Sequence, residues 1–211
     1  MTDPSDPVSG PAAGLLAAMG GAGRIRSVRT FVRETVRVLR RGDGRGEAVA
    51  EILTYRAAGG RVRIETFDLR SASLLIVPPA ESAEAAEALR EARLEPRTLL
   101  AHLHERRAEF RTASGGFLEL ALLDEDVLYL FDPRTNLCAE RTERRSGRRI
   151  RYREWRPIGG IATPFLEIAD GHGQEVELHL LGAAYDLPLP DSLFTHAPGT
   201  NEVSGSRRSP G

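Results

Sequence analysis

The chain contains no lysine and only one cysteine. All 29 of its basic residues are arginine, and 30 acidic residues offset them, so the formal net charge is −1. This balance argues against a general nucleic-acid binder, because such proteins carry a strong basic excess. The single cysteine, Cys138, excludes both an internal disulfide and a Cys-x-x-Cys metal or redox site.

Long apolar runs are also missing. A membrane-spanning helix needs about 20 mostly apolar residues, and no such run occurs, so the sequence predicts no spanning helix. Residues 1–10 lack the basic and apolar regions of a secretory signal, so we expect no signal peptide in the chain as given. Hydrophobic residues nevertheless make up 41% of the chain, enough to bury a core.

Catalytic and metal-binding signatures are lacking as well. There is no Gly-x-Ser-x-Gly elbow and no His-Glu-x-x-His helix. His102 and His104 are two residues apart, which would place them on different sides of a helix. Asp124 and Asp126 flank Glu125 in what reads as an acidic turn rather than an acid–base pair. We therefore expect no enzyme, no metal site and no cofactor.

What the sequence does contain is a series of half-buried strands. Residues 28–38 place Val32 and Val36 in alternation with arginines, which predicts a strand that buries its valines. The same alternation, with turns between the segments, predicts further strands. They cover residues 48–55, 61–67, 74–77, 117–123, 127–132, 137–145, 148–156, 161–169 and 174–185.

Three helices accompany these strands. Residues 11–19 predict a short one, and the middle of the chain predicts two more, over 81–94 and 96–109. Turn-joined strands on either side of a helical segment are typical of an antiparallel sheet with helices on one face. The fold class is therefore α+β, a curved antiparallel sheet, or incomplete barrel, of about eight to ten strands with helices on its concave face.

The predicted domain covers residues 11–197. The segments before and after it, 1–10 and 198–211, are rich in Pro, Gly and Ser and are predicted to be flexible tails.

The densest charge feature surrounds a predicted hairpin at Ser146-Gly147. We consider two interpretations of its arginines: a solvated turn, and a contact for an anionic membrane surface or an acidic partner. The residues concerned are Arg144, Arg145, Arg148 and Arg149.

Several segments, in this order, resemble the LolA/LolB-like lipoprotein-sorting proteins of the outer membrane. The first are Leu15 to Gly21, followed by Ile25 and Val28, and Gly60 to Glu65. Phe131 to Leu137 resembles the family's Asp-x-x-Thr-x-Leu turn, and two later segments match in order. These two are Tyr152 to Pro164 and Leu187 to Phe194.

The resemblance covers about residues 11–196 and implies an incomplete barrel with a hydrophobic cavity for acyl chains. It implies a non-enzymatic carrier or sensor for a lipid, a lipoprotein acyl chain or another apolar ligand, located in the periplasm or cell envelope. Eight residues are predicted to line that cavity between helices and sheet. They are Val32, Val36, Ile64, Leu99, Leu103, Leu130, Trp155 and Leu178.

Two other functions stay open at this point. One is a cell-envelope module with a filled core that grips a protein partner by its arginine hairpin or a sheet edge. The other is an enzyme whose residues the sequence does not reveal. Because residues 1–10 do not resemble a signal peptide, the cytoplasm is the alternative location.

Overall fold

The computed structural model describes residues 11–58, 61–77, 83–171 and 174–195. Both predicted tails and the predicted helix start at residues 81–82 lie outside these ranges. The helices are α1 (Pro11–Ala18), α2 (Ala22–Ser27), α3 (Ala83–Leu94) and α4 (Pro96–Ala101). The first strands are β1 (Thr30–Arg40), β2 (Gly46–Ala57), β3 (Arg61–Asp68) and β4 (Ser73–Val77). The later ones are β5 (Ala108–Thr112), β6 (Leu118–Leu122), β7 (Val127–Phe131), β8 (Cys138–Glu143), β9 (Arg149–Ile158), β10 (Ile161–Gly171) and β11 (Gln174–Tyr185).

All eleven described strands form one antiparallel sheet. Their order is β4-β3-β2-β1-β11-β10-β9-β8-β7-β6-β5, so only β1 and β11 are neighbours that lie far apart in the chain. The sheet is open, with β4 and β5 as its edges. This confirms the predicted curved antiparallel sheet, with one strand more than the upper limit of the prediction.

The additional strand is β5, whose first two residues fall within the helix predicted over residues 96–109. That helix prediction is wrong at its C-terminal end: α4 stops at Ala101, a single 3₁₀ turn follows, and β5 pairs with β6. Ala108 lies opposite Leu122, and Phe110 opposite Leu120. Backbone hydrogen bonds to β6 and packing of Phe110 on the core outweigh the weak helical preference of this segment.

The core fills one half of the concave face. Helices α1 to α4 pack there against β6 to β9, and the buried side chains form one cluster. Its largest members include Leu15, Leu16, Met19, Leu94, Leu99, Leu100, Tyr129, Phe131 and Tyr152. The Tyr129 hydroxyl donates a hydrogen bond to the Leu94 carbonyl at 2.8 Å, which fixes the end of α3 on the sheet.

A close backbone contact holds α1 in place. Gly20 follows α1 with φ of 113°, and a Cβ atom at this position would lie 2.3 Å from the carbonyl oxygen of Gly160. The Ala162 amide also donates a hydrogen bond to the Met19 carbonyl at 3.2 Å. A side chain at residue 20 would therefore separate α1 from the turn between β9 and β10.

We expect Leu99→Ala to destabilise the protein by roughly 2–5 kcal/mol, because it leaves a cavity among buried side chains. Leu181→Ala is the matched control: Leu181 is 57% exposed, so its truncation should change the free energy of unfolding by less than about 0.5 kcal/mol. Urea denaturation followed by circular dichroism measures both. Equal, small effects would contradict the packing of α4 described here.

Candidate functional site

The other half of the concave face is not filled by side chains. A cavity of about 540 Å³ lies there between the sheet and α3, and it is open to solvent. Its volume falls within the range of about 300–1,000 Å³ that is usual for sites of small organic ligands. Strands β1, β2, β3, β9, β10 and β11 form its sheet side, and Glu87 and Glu91 of α3 lie opposite.

A second space of about 500 Å³ adjoins the cavity and extends it along β1 and β11. The two share Arg37, Arg148, Ala169 and Leu178. The two spaces follow one another along β1, because Arg33 lines the cavity and Leu39 lines the extension. Six residues of strand span about 20 Å at roughly 3.3 Å per residue, so the combined groove is elongated.

The sheet side of the cavity carries an apolar wall made of Ile52, Val62, Ile64, Ile150 and Leu178. Thr66 also lines the cavity and lies opposite Leu75 of the edge strand β4. Residues directly opposite in an antiparallel pair share a face, so Leu75 extends this wall to the sheet edge. Leu75 is 62% exposed, so the apolar surface continues out to solvent.

One end of the cavity is closed by a buried group of five charged residues, called here the arginine–glutamate cluster: Arg33, Arg56, Glu95, Arg97 and Glu167. Arg33 pairs with Glu167 at 2.8 Å, and Arg56 pairs with Glu95 at 2.6 Å. Arg97 binds the other oxygen of Glu95.

Aromatic rings hold the innermost member of this cluster. The Arg97 guanidinium carbon lies 4.4 Å from the ring centre of Phe31 and 5.1 Å from that of Tyr185. The two rings stack on each other at 4.9 Å. Cation–π attraction in a desolvated setting therefore adds to the ion pair with Glu95.

Glu95 is the shared acid of the cluster. Burial alone would raise the pKa of its carboxyl, but the guanidinium groups of Arg97, Arg56 and Arg33 outweigh burial and hold this pKa at about 2. The carboxylate is thus charged at any physiological pH. Because Glu95 directly precedes α4 and Arg56 lies on β2, their ion pair links the start of α4 to the sheet.

Further ion pairs attach α3 to the sheet through Glu91, which lies about one helical turn before Glu95. Glu91 accepts hydrogen bonds from Arg141 at 2.6 Å and from Arg148 at 3.0 Å. Burial opposes ionisation of Glu91, but the nearby arginines, Arg141 first, lower its pKa overall. Arg141 is almost fully buried and also pairs with Glu143 at 3.3 Å. The pairs of Glu91 and of Glu95 both lie at the C-terminal end of α3, so this end of the helix is anchored to the sheet.

Two of the eight predicted cavity residues, Ile64 and Leu178, line the cavity. Leu99, Leu103 and Trp155 belong instead to the packed core beneath the helices. The Trp155 indole donates to the Cys138 carbonyl at 3.1 Å, so its polar edge is also engaged in the core.

Val32, Val36 and Leu130 lie on the opposite face of the sheet, so their predicted placement in the cavity is corrected. Arg33 and Arg37 of β1 line the cavity, and side chains of a strand alternate between faces, so the valines between them point away. In β7 the buried Tyr129 faces the helices, and Leu130 therefore faces outward. In β1 the arginines were predicted to face solvent, whereas they face the cavity.

This reversed face assignment is the reason that the arginine–glutamate cluster was not predicted from the sequence. Arg33, Arg56 and Glu167 each lie on a strand as charged residues, which usually indicates a solvated face. Their burial is compensated by the pair between Arg33 and Glu167 and by Glu95, which approaches Arg56 from the helical segment. No local pattern reports this pairing, because 39 positions separate Arg56 from Glu95.

The arginines of the hairpin between β8 and β9 each have an acid nearby. Arg144 and Arg145 lie 3.8 and 4.0 Å from Asp126, and Arg149 lies 3.4 Å from Glu140. Arg148 points to α3 and lines the cavity. Contact with an anionic surface stays a prediction for this hairpin, and the neighbouring carboxylates reduce the positive potential that it presents.

The described residues contain neither a metal-binding cluster nor a membrane-spanning helix. Within 11–58, 61–77, 83–171 and 174–195, no group of three or more His, Cys, Asp or Glu residues is arranged to hold a metal ion. No helix in the same ranges is long and apolar enough to cross a membrane.

Comparisons with known proteins agree at the level of the fold. No family model matches the chain, and no curated protein matches it. The structure is similar to a LolA superfamily protein from Nitrosomonas europaea, with TM-score 0.57 and 14% identity over 89% of this chain and 99% of that one. It is also similar to a DUF1329 family protein from Desulfovibrio piger, with TM-score 0.52 and 13% identity over 91% and 98%. The chain therefore has the LolA-like fold that the resemblance predicted.

We expect Glu95→Gln to destabilise the protein by about 3–5 kcal/mol, because it leaves buried guanidinium groups without their shared counter-charge. A carboxyl whose pKa is lowered by folding contributes stability above its unfolded pKa and loses it as the pH falls. For Glu95 that window runs from its ordinary value of 4.5 down to about 2.

Urea denaturation at several pH values measures this effect. The parent should lose stability between about pH 4.5 and 2, and the Glu95→Gln variant should lose less over the same window. Glu154→Gln is the control, since Glu154 forms an exposed pair with Arg156. Parallel pH profiles for the parent and Glu95→Gln would contradict the role given to Glu95.

Proposed function

We propose that this protein is a non-enzymatic carrier or sensor that holds a lipid, a lipoprotein acyl chain or another apolar ligand between α3 and the sheet. The observation that carries the proposal is the open cavity of about 540 Å³ in a LolA-like fold, with its apolar wall and adjoining groove. An acyl chain entering it would gain about 0.8 kcal/mol for each buried CH₂ group.

Strong anchoring of the helix supports the same proposal. Ion pairs of Glu91 and of Glu95 hold the C-terminal end of α3 on the sheet, which fixes this helix over the cavity. A site that is already formed costs less to occupy than one that must be ordered on binding.

The alternative, an interaction module with a filled core, requires that the sheet and helices pack throughout. Side chains fill the half under β6 to β9, but the half under β1 to β3 and β9 to β11 leaves the cavity. This difference favours the carrier. The periplasm or cell envelope is the proposed location, on the basis of the LolA-like fold.

The proposal predicts that filling the cavity abolishes binding. Leu178→Trp places a large ring against the apolar wall and should weaken binding of a fluorescent fatty acid by tenfold or more, about 1.4 kcal/mol. Leu181→Trp, on the same strand at an exposed position, should leave the affinity within about twofold. Fluorescence titration gives both affinities, and thermal melting checks that both variants fold.

Two results would count against the carrier. One is a parent protein that binds no fatty acid or lysolipid at all, and the other is equal binding by Leu178→Trp and Leu181→Trp.

A further inference from the structure

The arginine–glutamate cluster at the closed end of the cavity carries an excess of positive charge. It contains three guanidinium groups, from Arg33, Arg56 and Arg97, and two carboxylates, from Glu95 and Glu167. All five side chains are buried or largely buried, so water screens this imbalance only weakly. One negative charge would neutralise it.

The hydrogen-bonding capacity of the two acids is also largely used. Each oxygen of Glu95 already accepts from a different arginine, and one oxygen of Glu167 accepts from Arg33. A guanidinium has five N–H donors. Within the described ranges, the Nε atoms of Arg33 and Arg56 and the Nη1 atom of Arg97 are buried and have no hydrogen-bond partner.

Two of these arginines face the cavity. Arg33 and Arg56 both line it, with side chains 19% and 17% exposed, while Arg97 lies behind them under the aromatic rings. Burial lowers the pKa of the Arg56 guanidinium, and the neighbouring cations Arg33 and Arg97 lower it further against the opposing effect of Glu95. Arg56 thus has two guanidinium groups and one carboxylate as its close charged neighbours.

The remaining cations of the cavity are placed differently. Arg148 has Glu91, Glu143 and Glu87 within 3.9 Å, so acids already surround it. Arg37 forms no ion pair with the described residues, but its side chain is exposed, and water weakens its attraction for an anion. An anionic group is therefore best stabilised at the closed end.

We propose that the ligand of the cavity is an anionic amphiphile with a singly charged oxyanion head, a carboxylate or a phosphodiester, bound by Arg33 and Arg56. Its acyl chain would lie along Ile52, Ile64 and Leu178 and continue into the adjoining groove. This inference rests on the proposed carrier function and adds the chemistry and orientation of the ligand. Guanidinium groups suit such heads because their paired N–H donors match two oxygens.

The test compares two ligands that differ only in the head group. Dodecanoate and dodecanol are titrated into the full-length protein by competition with a fluorescent fatty acid. The parent should bind dodecanoate at least about tenfold more tightly than dodecanol. A lysophosphatidylglycerol with the same chain distinguishes the two head groups: tighter binding than dodecanoate assigns the site to a phosphodiester, and weaker binding assigns it to a carboxylate.

Two arginine variants locate the head group. Arg56→Gln leaves two guanidinium groups against two carboxylates, so the cluster becomes neutral, and the amide can still donate to Glu95. It should reduce the preference for dodecanoate to within about twofold. Arg37→Gln, at the other end of the cavity, should keep the preference, and Arg56→Lys should retain part of it.

The outcomes separate the two proposals. Equal binding of dodecanoate and dodecanol by the parent would overturn the anion site and leave the carrier intact. If Arg37→Gln removed the preference for dodecanoate and Arg56→Gln kept it, the placement of the head group at Arg33 and Arg56 would be overturned. Binding of neither ligand would overturn both. The comparison of ligands in the parent needs no variant, so the anion site stays testable even where Arg56→Gln does not fold.

Discussion

The contact between Glu95 and two arginines is the interaction on which the site depends. Glu95 lies between α3 and α4, Arg56 lies on β2, and Arg97 on α4 is stacked on Phe31 and Tyr185 from the central strands. The helical segment is therefore tied to the middle of the sheet by a buried charge. Removing one partner of such a group costs several kcal/mol, so a shift of the helices that broke these pairs would be strongly unfavourable.

The concave face of the sheet has two parts with different roles. Under β6 to β9 the helices bury leucines and aromatic rings in a dense core. Under β1 to β3 and β9 to β11, α3 crosses the sheet without filling the space beneath it. Charged residues close this space at one end, whereas the other opens into a groove. One fold thus combines a rigid support with an unfilled volume, which is what a carrier requires.

The sequence predicted most of the strands because their alternation and their turns are local signals. It also predicted the helix over residues 11–19, where Leu15, Leu16 and Met19 are buried. It failed at residues 102–109, where a 3₁₀ turn follows α4 and β5 begins at Ala108 to pair with β6. Such pairing depends on a neighbouring strand of the sheet, and the propensities of a short sequence window carry no information about that neighbour.

The site was predicted less well than the fold, for a related reason. Of the eight proposed cavity residues, only Ile64 and Leu178 line the cavity, because face assignment in β1 followed the rule that valine is buried and arginine exposed. Here Arg33 faces inward because Glu167 and Glu95 neutralise part of the charge around it. A buried charge on a strand can be recognised only when its partner is known, and both partners lie on distant segments.

The central claim is that the space between α3 and the sheet is a ligand site. Native mass spectrometry of the protein purified from its own cells without detergent tests it most directly. The account predicts a population whose mass exceeds that of the polypeptide by one lipid-sized molecule, which is released as an anionic amphiphile on activation. A single species at the polypeptide mass, under conditions in which a known lipid carrier keeps its ligand, would contradict it.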